Sequence, residues 1–283
     1  MDVLMKWYWI TPDNNTIDLM TDPFLLMEEV SGHLMPPFKR DEKWIGEVGL
    51  LTGLRADVRE VFLPLLVKAE SLQDALRLCA KYWNPRIGDG TLKVMDDLGN
   101  TRILKCRYAG GLEGDGRNSG PGWQKIGLRL RALQPYWQDE QYQDYVFALD
   151  SPVLFFQSSF FPLHISKGTI DGNVSVNNPG EVEAYPLITA TGPLTALEIQ
   201  NVTTGKTINF PALTMTASDT LTIDTRPEIL SVKINGNSAF SLLSASSSLW
   251  TIQPGSNQLK IVTAGTSSNS SVTISFATRY LTV

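Results

Sequence analysis

Two cysteines and two histidines are all that this 283-residue chain holds of the side chains that most often bind metals or serve as nucleophile and base. Cys79 and Cys106 stand apart, with no CxxC and no histidine nearby, so a zinc site lacks ligands and both read as reduced core thiols. His33 follows Gly32 ahead of a proline-rich stretch, and His164 lies between Leu163 and Ile165. No Gly-x-Ser-x-Gly elbow accompanies either, so both are expected to be structural. Long apolar runs are missing too. Nothing approaches the ~18 residues of a membrane span. The opening Met-Asp-Val-Leu-Met-Lys-Trp-Tyr-Trp-Ile lacks the basic start and apolar middle of a signal peptide. The expectation is a chain with no membrane attachment, kept in a cytoplasm until assembly.

Positive charge is also scarce. Against 29 Asp+Glu there are 24 Lys+Arg, a net charge of -5, and no basic stripe runs along the chain, so surface binding of nucleic acid is not expected. The charges are uneven: 18 of the Lys+Arg and 22 of the Asp+Glu lie in residues 1–165. Residues 166–283 stay soluble through Ser, Thr and Asn instead, which marks two domains, 1–165 and 166–283, with a boundary near Ser166.

What the second part has in abundance is alternation. Leu221-Thr222-Ile223-Asp224, Ser231-Val232-Lys233-Ile234 and Gln258-Leu259-Lys260-Ile261-Val262 each offer one face to a core and one to water, and Asn-Pro-Gly, Thr-Gly, Asn-Gly and Pro-Gly turns separate such segments. The pattern predicts an antiparallel β-sandwich. The first part is also mainly β. Lys6–Ile10 reads as a strand, and Met35–Lys43 as a charged, Pro-rich surface loop. Val58–Val67 reads as a strand in which Pro64 argues for an edge or a bulge. Ser71 caps a helix with Leu72, Ala75, Leu76, Cys79 and Trp83 on one stripe, ended by Asn84-Pro85, of the kind that covers an open sheet or barrel. A hairpin follows around Asp97-Leu98-Gly99-Asn100, then a glycine-rich loop over 110–122 and a strand from Trp123 to Leu133. Asp139–Phe161, with its apolar Val153-Leu154-Phe155-Phe156, reads as a connecting segment.

Three constellations invite chemistry. The glycine-rich loop lacks the Gly-Lys-Ser/Thr ending of a phosphate loop and the oxygen ligands of a calcium loop, so it is read as a partner-docking element carried by Gly110, Gly111, Glu113, Asp115 and Arg117. The acid pairs Glu28-Glu29, Asp96-Asp97 and Asp139-Glu140 are adjacent in sequence and point to opposite faces of a strand, which is no glycosidase arrangement. Aromatic residues of the second part, Trp250 foremost, could form a glycan platform, although core packing explains them more simply.

With these residues in view, the chain resembles the distal tail proteins of long-tailed, siphovirus-type bacteriophages. The matching landmarks of the second part are Asn178-Pro179-Gly180, Ala184-Tyr185-Pro186, Gly192-Pro193, Asn201 with Thr204-Gly205, Leu221–Thr225, Asn235-Gly236, Leu249-Trp250, Pro254–Asn257 and Arg279-Tyr280. In the first part they are Leu51–Arg59, the helix ending at Asn84-Pro85, Tyr108–Gly114 and Pro135-Tyr136-Trp137. The resemblance implies a tail-tube-like β-barrel with a flanking helix, then a galectin-like or carbohydrate-module-like sandwich. It also implies a non-enzymatic role without cofactor: a hexameric ring in the virion, at the tail tip, whose partners are its own copies, the tail tube protein, and the hub, baseplate and receptor-binding proteins. A carbohydrate-binding adhesin is the alternative, with a polysaccharide hydrolase third.

Overall fold

The computed structural model describes residues 5–113, 118–148 and 169–283. Two units are distinguished: residues 1–140 together with 280–283, and residues 141–279. The chain therefore leaves the first unit after Glu140 and re-enters it at Tyr280.

In the first unit the strands are β1 Lys6–Ile10, β2 Thr16–Asp18, β3 Met20–Thr21, β4 Phe24–Leu26, β5 Phe38–Ile45, β6 Val48–Ala56 and β7 Arg59–Lys68. After helix α1, Leu72–Tyr82, come β8 Gly90–Met95, β9 Thr101–Gly110, β10 Ser119–Gly120, β11 Trp123–Ala132 and β12 Trp137–Asp139. One sheet runs β2-β1-β8-β9-β11-β7-β4-β3, with β10 on β11 and β12 on β9. Its two ends are successive pieces of chain, and Leu19 between them joins the seam: its N–H donates to Trp7 O (2.9 Å) and its carbonyl accepts from Leu26 N (2.7 Å). The result is the nearly closed barrel that the resemblance implies. Val61, Leu63, Leu65 and Val67 of β7 point inward with Leu92, Val94, Leu104, Leu128 and Leu130.

Pro64 does not make β7 an edge. β11 pairs along one side and β4 along the other, and the position of Pro64 falls where β4 has ended and Met27 N donates to the Pro64 carbonyl. The missing proline N–H thus costs no ladder bond. Helix α1 behaves as its stripe predicts: Ala75, Cys79 and the following Trp83 are buried, and Trp83 stacks on Trp9 (centroids 6.3 Å) and meets Phe24 edge-on (5.4 Å). Burial pushes the Cys79 and Cys106 thiols up to about 12, which keeps both protonated and unreactive. The Asp97–Asn100 turn is also as expected, with the Asp96 carboxylate accepting from Leu98 N and Asn100 N.

The second unit contains β13 Gln143–Ala148, β14 Thr169–Asn178, β15 Leu187–Thr191, β16 Leu194–Asn201, β17 Lys206–Met215, β18 Thr220–Asp224, β19 Ser231–Ile234, β20 Asn237–Ser238, β21 Gly255–Ala264 and β22 Ser271–Phe276. They form a six-stranded sheet, β13-β22-β15-β18-β19-β20, and a four-stranded one, β14-β21-β16-β17. Inward residues of the two, such as Ile188, Ile223 and Ile274 with Leu197, Phe210 and Ile261, share one core, as a sandwich requires. β13 departs from the sequence reading. Expected as connecting chain, it is an edge strand paired with β22 over its whole length, burying Phe147 and stacking Tyr145 on Phe276. The expected boundary at Ser166, His164 and the Val153–Phe156 patch lie outside the described residues.

Three of the turn landmarks of this unit, Asn178, Asn201 and Asn257, serve one purpose. The stretch from Trp250 to Pro254 runs along the core with a single backbone bridge, Ile252 to Ala184, and three buried asparagines add the rest of what a ladder would supply. Asn178 Nδ2 donates to Ile252 O, Asn201 Nδ2 to Thr251 O, and the Asn257 amide exchanges bonds with Gln253. Buried backbone polar groups must be paired, and asparagine, with donor and acceptor on a short stem, does this where strands cannot.

Candidate functional site

The feature of the first unit that packing does not explain is the hairpin of β5 and β6. It forms a two-stranded sheet of its own, joined to no other strand among the described residues. Sequence reading took Met35–Lys43 for a loop; the surface position holds, but from Phe38 the backbone is a strand. The pairing runs from Phe38↔Ala56 to Ile45↔Val48, with Thr52 as an extra residue whose hydroxyl donates to Asp41 O (2.9 Å). Along this arm Trp44, Ile45, Val48, Leu50, Leu51 and Leu54 are exposed, Trp44 by 65% and Leu51 by 59%. Register places Trp44, Leu51 and Leu54 on one face and Ile45, Val48 and Leu50 on the other. The charged run Lys39–Lys43 lies nearer the root, where Lys39 pairs with Asp57 (3.1 Å). A lone two-stranded hairpin is marginal in water, and a contiguous exposed apolar surface is the usual mark of an interaction site.

The root of the arm is built differently. Gly32 adopts φ +80, and a Cβ there would lie 1.9 Å from Glu60 O, so only glycine brings the chain this close to β7. Three successive carbonyls, of Gly32, His33 and Leu34, accept hydrogen bonds from side chains: Arg59 Nη1 (3.0 Å), Trp137 Nε1 (2.9 Å) and Arg59 Nη1 again (2.6 Å). The Arg59 guanidinium is fully buried, its Cζ lies 5.9 Å from the centre of the Trp137 ring, and no carboxylate among the described residues pairs with it. Burial pushes its pKa down to about 10, which leaves it a cation at neutral pH. His33 Nδ1 is buried without a partner, and its ring meets Trp7 edge-on (5.9 Å). Burial, then the charge of Arg59, holds the His33 imidazole below its ordinary range.

Of the docking residues named from sequence, Gly110, Gly111 and Glu113 form the stem of the glycine-rich loop. The Glu113 carboxylate accepts from Gly111 N (2.7 Å) and the Tyr108 hydroxyl accepts from Leu112 N (3.0 Å), so this acid shapes its own turn. Its own backbone N–H and then that of Gly111 hold the Glu113 carboxyl below the ordinary carboxylate range. Gly111 crosses β11 so closely that a Cβ would stand 1.7 Å from Gly127 O. Asp115 and Arg117 lie outside the described residues. Trp250, the candidate glycan platform, has no exposed surface: it sits in the sandwich core and donates Nε1–H to Ile199 O (3.3 Å). A buried ring presents nothing to a sugar, so this residue is packing. Sequence reading missed the arm and Arg59. The second had a signal, since Arg59 is in phase with the inward Val61, Leu63, Leu65 and Val67.

Residues 179–280 match the family described as siphovirus-type tail component, C-terminal domain. Among solved structures the chain resembles Dit (gp 19.1) of phage SPP1, described as a paradigm of hub adsorption apparatus in phages infecting Gram-positive bacteria. The TM-score is 0.66 at 16% identity, over 97% of this chain and 99% of that one. A chain of the phage P2 baseplate in its activated conformation with Ca gives a TM-score of 0.58 at 10% identity, over 99% of this chain and 100% of that one. With Sr the same baseplate gives 0.57 at 10% identity, again over 99% and 100%. No curated protein matches the chain by sequence. Residues 179–280 of the second unit thus carry the match to the siphovirus-type tail component C-terminal domain, and along its whole length the chain has the fold of SPP1 Dit.

Proposed function

We propose that the chain closes a ring of six copies in the virion, at the tip of a phage tail, and there joins the tail tube to the hub and the host-recognition apparatus. The number six and the neighbouring parts rest on the resemblance to distal tail proteins. The arm is the observation that carries self-association. Trp44, Ile45, Val48, Leu51 and Leu54 are 57–65% exposed, so burying what remains of them is worth about 1–2 kcal/mol each, or roughly 5–9 kcal/mol per arm. That is the size of the ~4–15 kcal/mol that association costs in lost translational and rotational freedom. A copy that gives its arm to one neighbour and receives another's uses two different surfaces, and repetition of such a contact through a closing rotation makes a ring. In this reading the second unit faces the other baseplate parts, and the glycine-rich loop is a further docking element.

Mass measurement of the full chain in solution tests the reading. The parent is expected to sediment as a closed oligomer, and the double variant Trp44→Glu, Leu51→Glu as a folded monomer with unchanged circular dichroism. A variant that assembles as the parent does removes the arm from the interface. The adhesin alternative loses its leading residue with the burial of Trp250.

A further inference from the structure

We infer that the C-terminal tail, Leu281 to Val283, holds the root of the arm in place through Arg59, which makes Arg59 a positioning residue and the tail a built-in control on the arm. The guanidinium donates to four backbone carbonyls. Nε serves Pro135 (2.5 Å), Nη1 serves both Gly32 (3.0 Å) and Leu34 (2.6 Å), and Nη2 serves Leu281 (2.6 Å). Three segments far apart in sequence thus share one planar cation. Because the fork is rigid, fixing its Nη2 on the tail fixes where Nη1 points, and Nη1 is what the arm root hangs on.

The root lies outside any ladder, and the tail begins where the pairing of Arg279–Tyr280 with β12 ends. Residues 32–37 are irregular, with carbonyls held by Arg59 and Trp137, and the Ser31↔Phe62 bridge and the bond from Asp57 N to Pro37 O tie their ends. The tail is gripped by side chains as well. Arg102 Nη1 donates to Thr282 O (2.6 Å) while its Cζ stacks 3.8 Å from the Tyr280 ring, and the Tyr280 hydroxyl bonds Asp139 (3.1 Å). If Leu281 withdraws, an acceptor of a buried cation is lost and water reaches the guanidinium. Hydration then competes with Gly32 and Leu34 for the same N–H groups, and the root loosens.

The coupling is a property of one chain and does not rest on the ring. It is tested by hydrogen exchange with mass spectrometry on the full chain, at a concentration where parent and variants have the same measured mass. Two variants free the tail without touching Arg59: Arg102→Ala, and a chain ending at Tyr280. In both, peptides covering Ser31 and the arm through Asp57 are expected to exchange at least ten-fold faster, while peptides from residues 61–67 and 208–215 keep the parent rate. Arg59→Lys, which keeps the charge but cannot span four carbonyls, is expected to release the root and the tail together. An unchanged root in the shortened chain overturns the inference. So does equal acceleration over 61–67, which would mean general loss of stability.

Discussion

Replacing Trp250 by alanine is expected to destabilise the second unit by about 4 kcal/mol. A buried tryptophan removes roughly 150–250 Å² from water, which at about 25 cal/mol/Å² amounts to some 4–6 kcal/mol. The unfolded chain is not fully extended, and alanine keeps one methyl group, so part of this is never lost. The cavity left among Ile199, Ile252 and their neighbours adds to the loss, as does the bond from Nε1 to Ile199 O, worth about 1 kcal/mol at most at 3.3 Å. These corrections leave the value inside the ~3–5 kcal/mol usual for deleting a large buried aromatic. Hydrogen exchange on the full chain reads it locally: slow amides of β16 and β17 should lose protection by about three powers of ten, since 1.4 kcal/mol is one, while those of β7 in the first unit stay as they are. Trp250→Phe, which keeps a ring but loses the indole N–H bond, should fall between the two. An alanine variant with parental protection in β16 and β17 would refute the core assignment, and if it also lost binding to a glycan the platform reading would return.

Acid should weaken the first unit through His33. Burial and the nearby Arg59 lower its pKa from the ordinary 6.5, so the unfolded chain takes up the proton first. The stability this group contributes is present above about pH 6.5 and is lost as pH falls toward the lowered folded value. Melting of the full chain at pH 7 and pH 5 should therefore show a larger drop for the parent than for His33→Phe, which keeps the edge-on contact with Trp7; equal drops would clear His33. Gly111→Ala, forced against Gly127 O at φ +103, should cost at least the ~1–3 kcal/mol of a strained backbone, read as a lower urea midpoint, and a midpoint matching the parent would show that β9 can give way.

The parts of the fold that were legible in the sequence are those where one face of an element is dry and the other wet. Leu221–Asp224, the Trp123 strand and the helix after Ser71 all announce themselves by period, because burial selects every second residue of a strand or one stripe of a helix. Period says that a face is buried and nothing about what covers it. β13 could therefore be read as connecting chain: its partner β22 lies far along the sequence, and no local signal encodes that pairing. The arm fails in the opposite way. Both its faces are exposed, so Lys39–Lys43 shows charge where a strand should alternate, and Trp44 to Leu54 shows apolar residues where a loop should be polar. Within a single chain such a pattern conflicts with itself. The register sets Leu54, Leu51 and Leu50 opposite Arg40, Glu42 and Lys43, so apolar and charged side chains alternate across the arm rather than along it, a pattern consistent with the proposed interface.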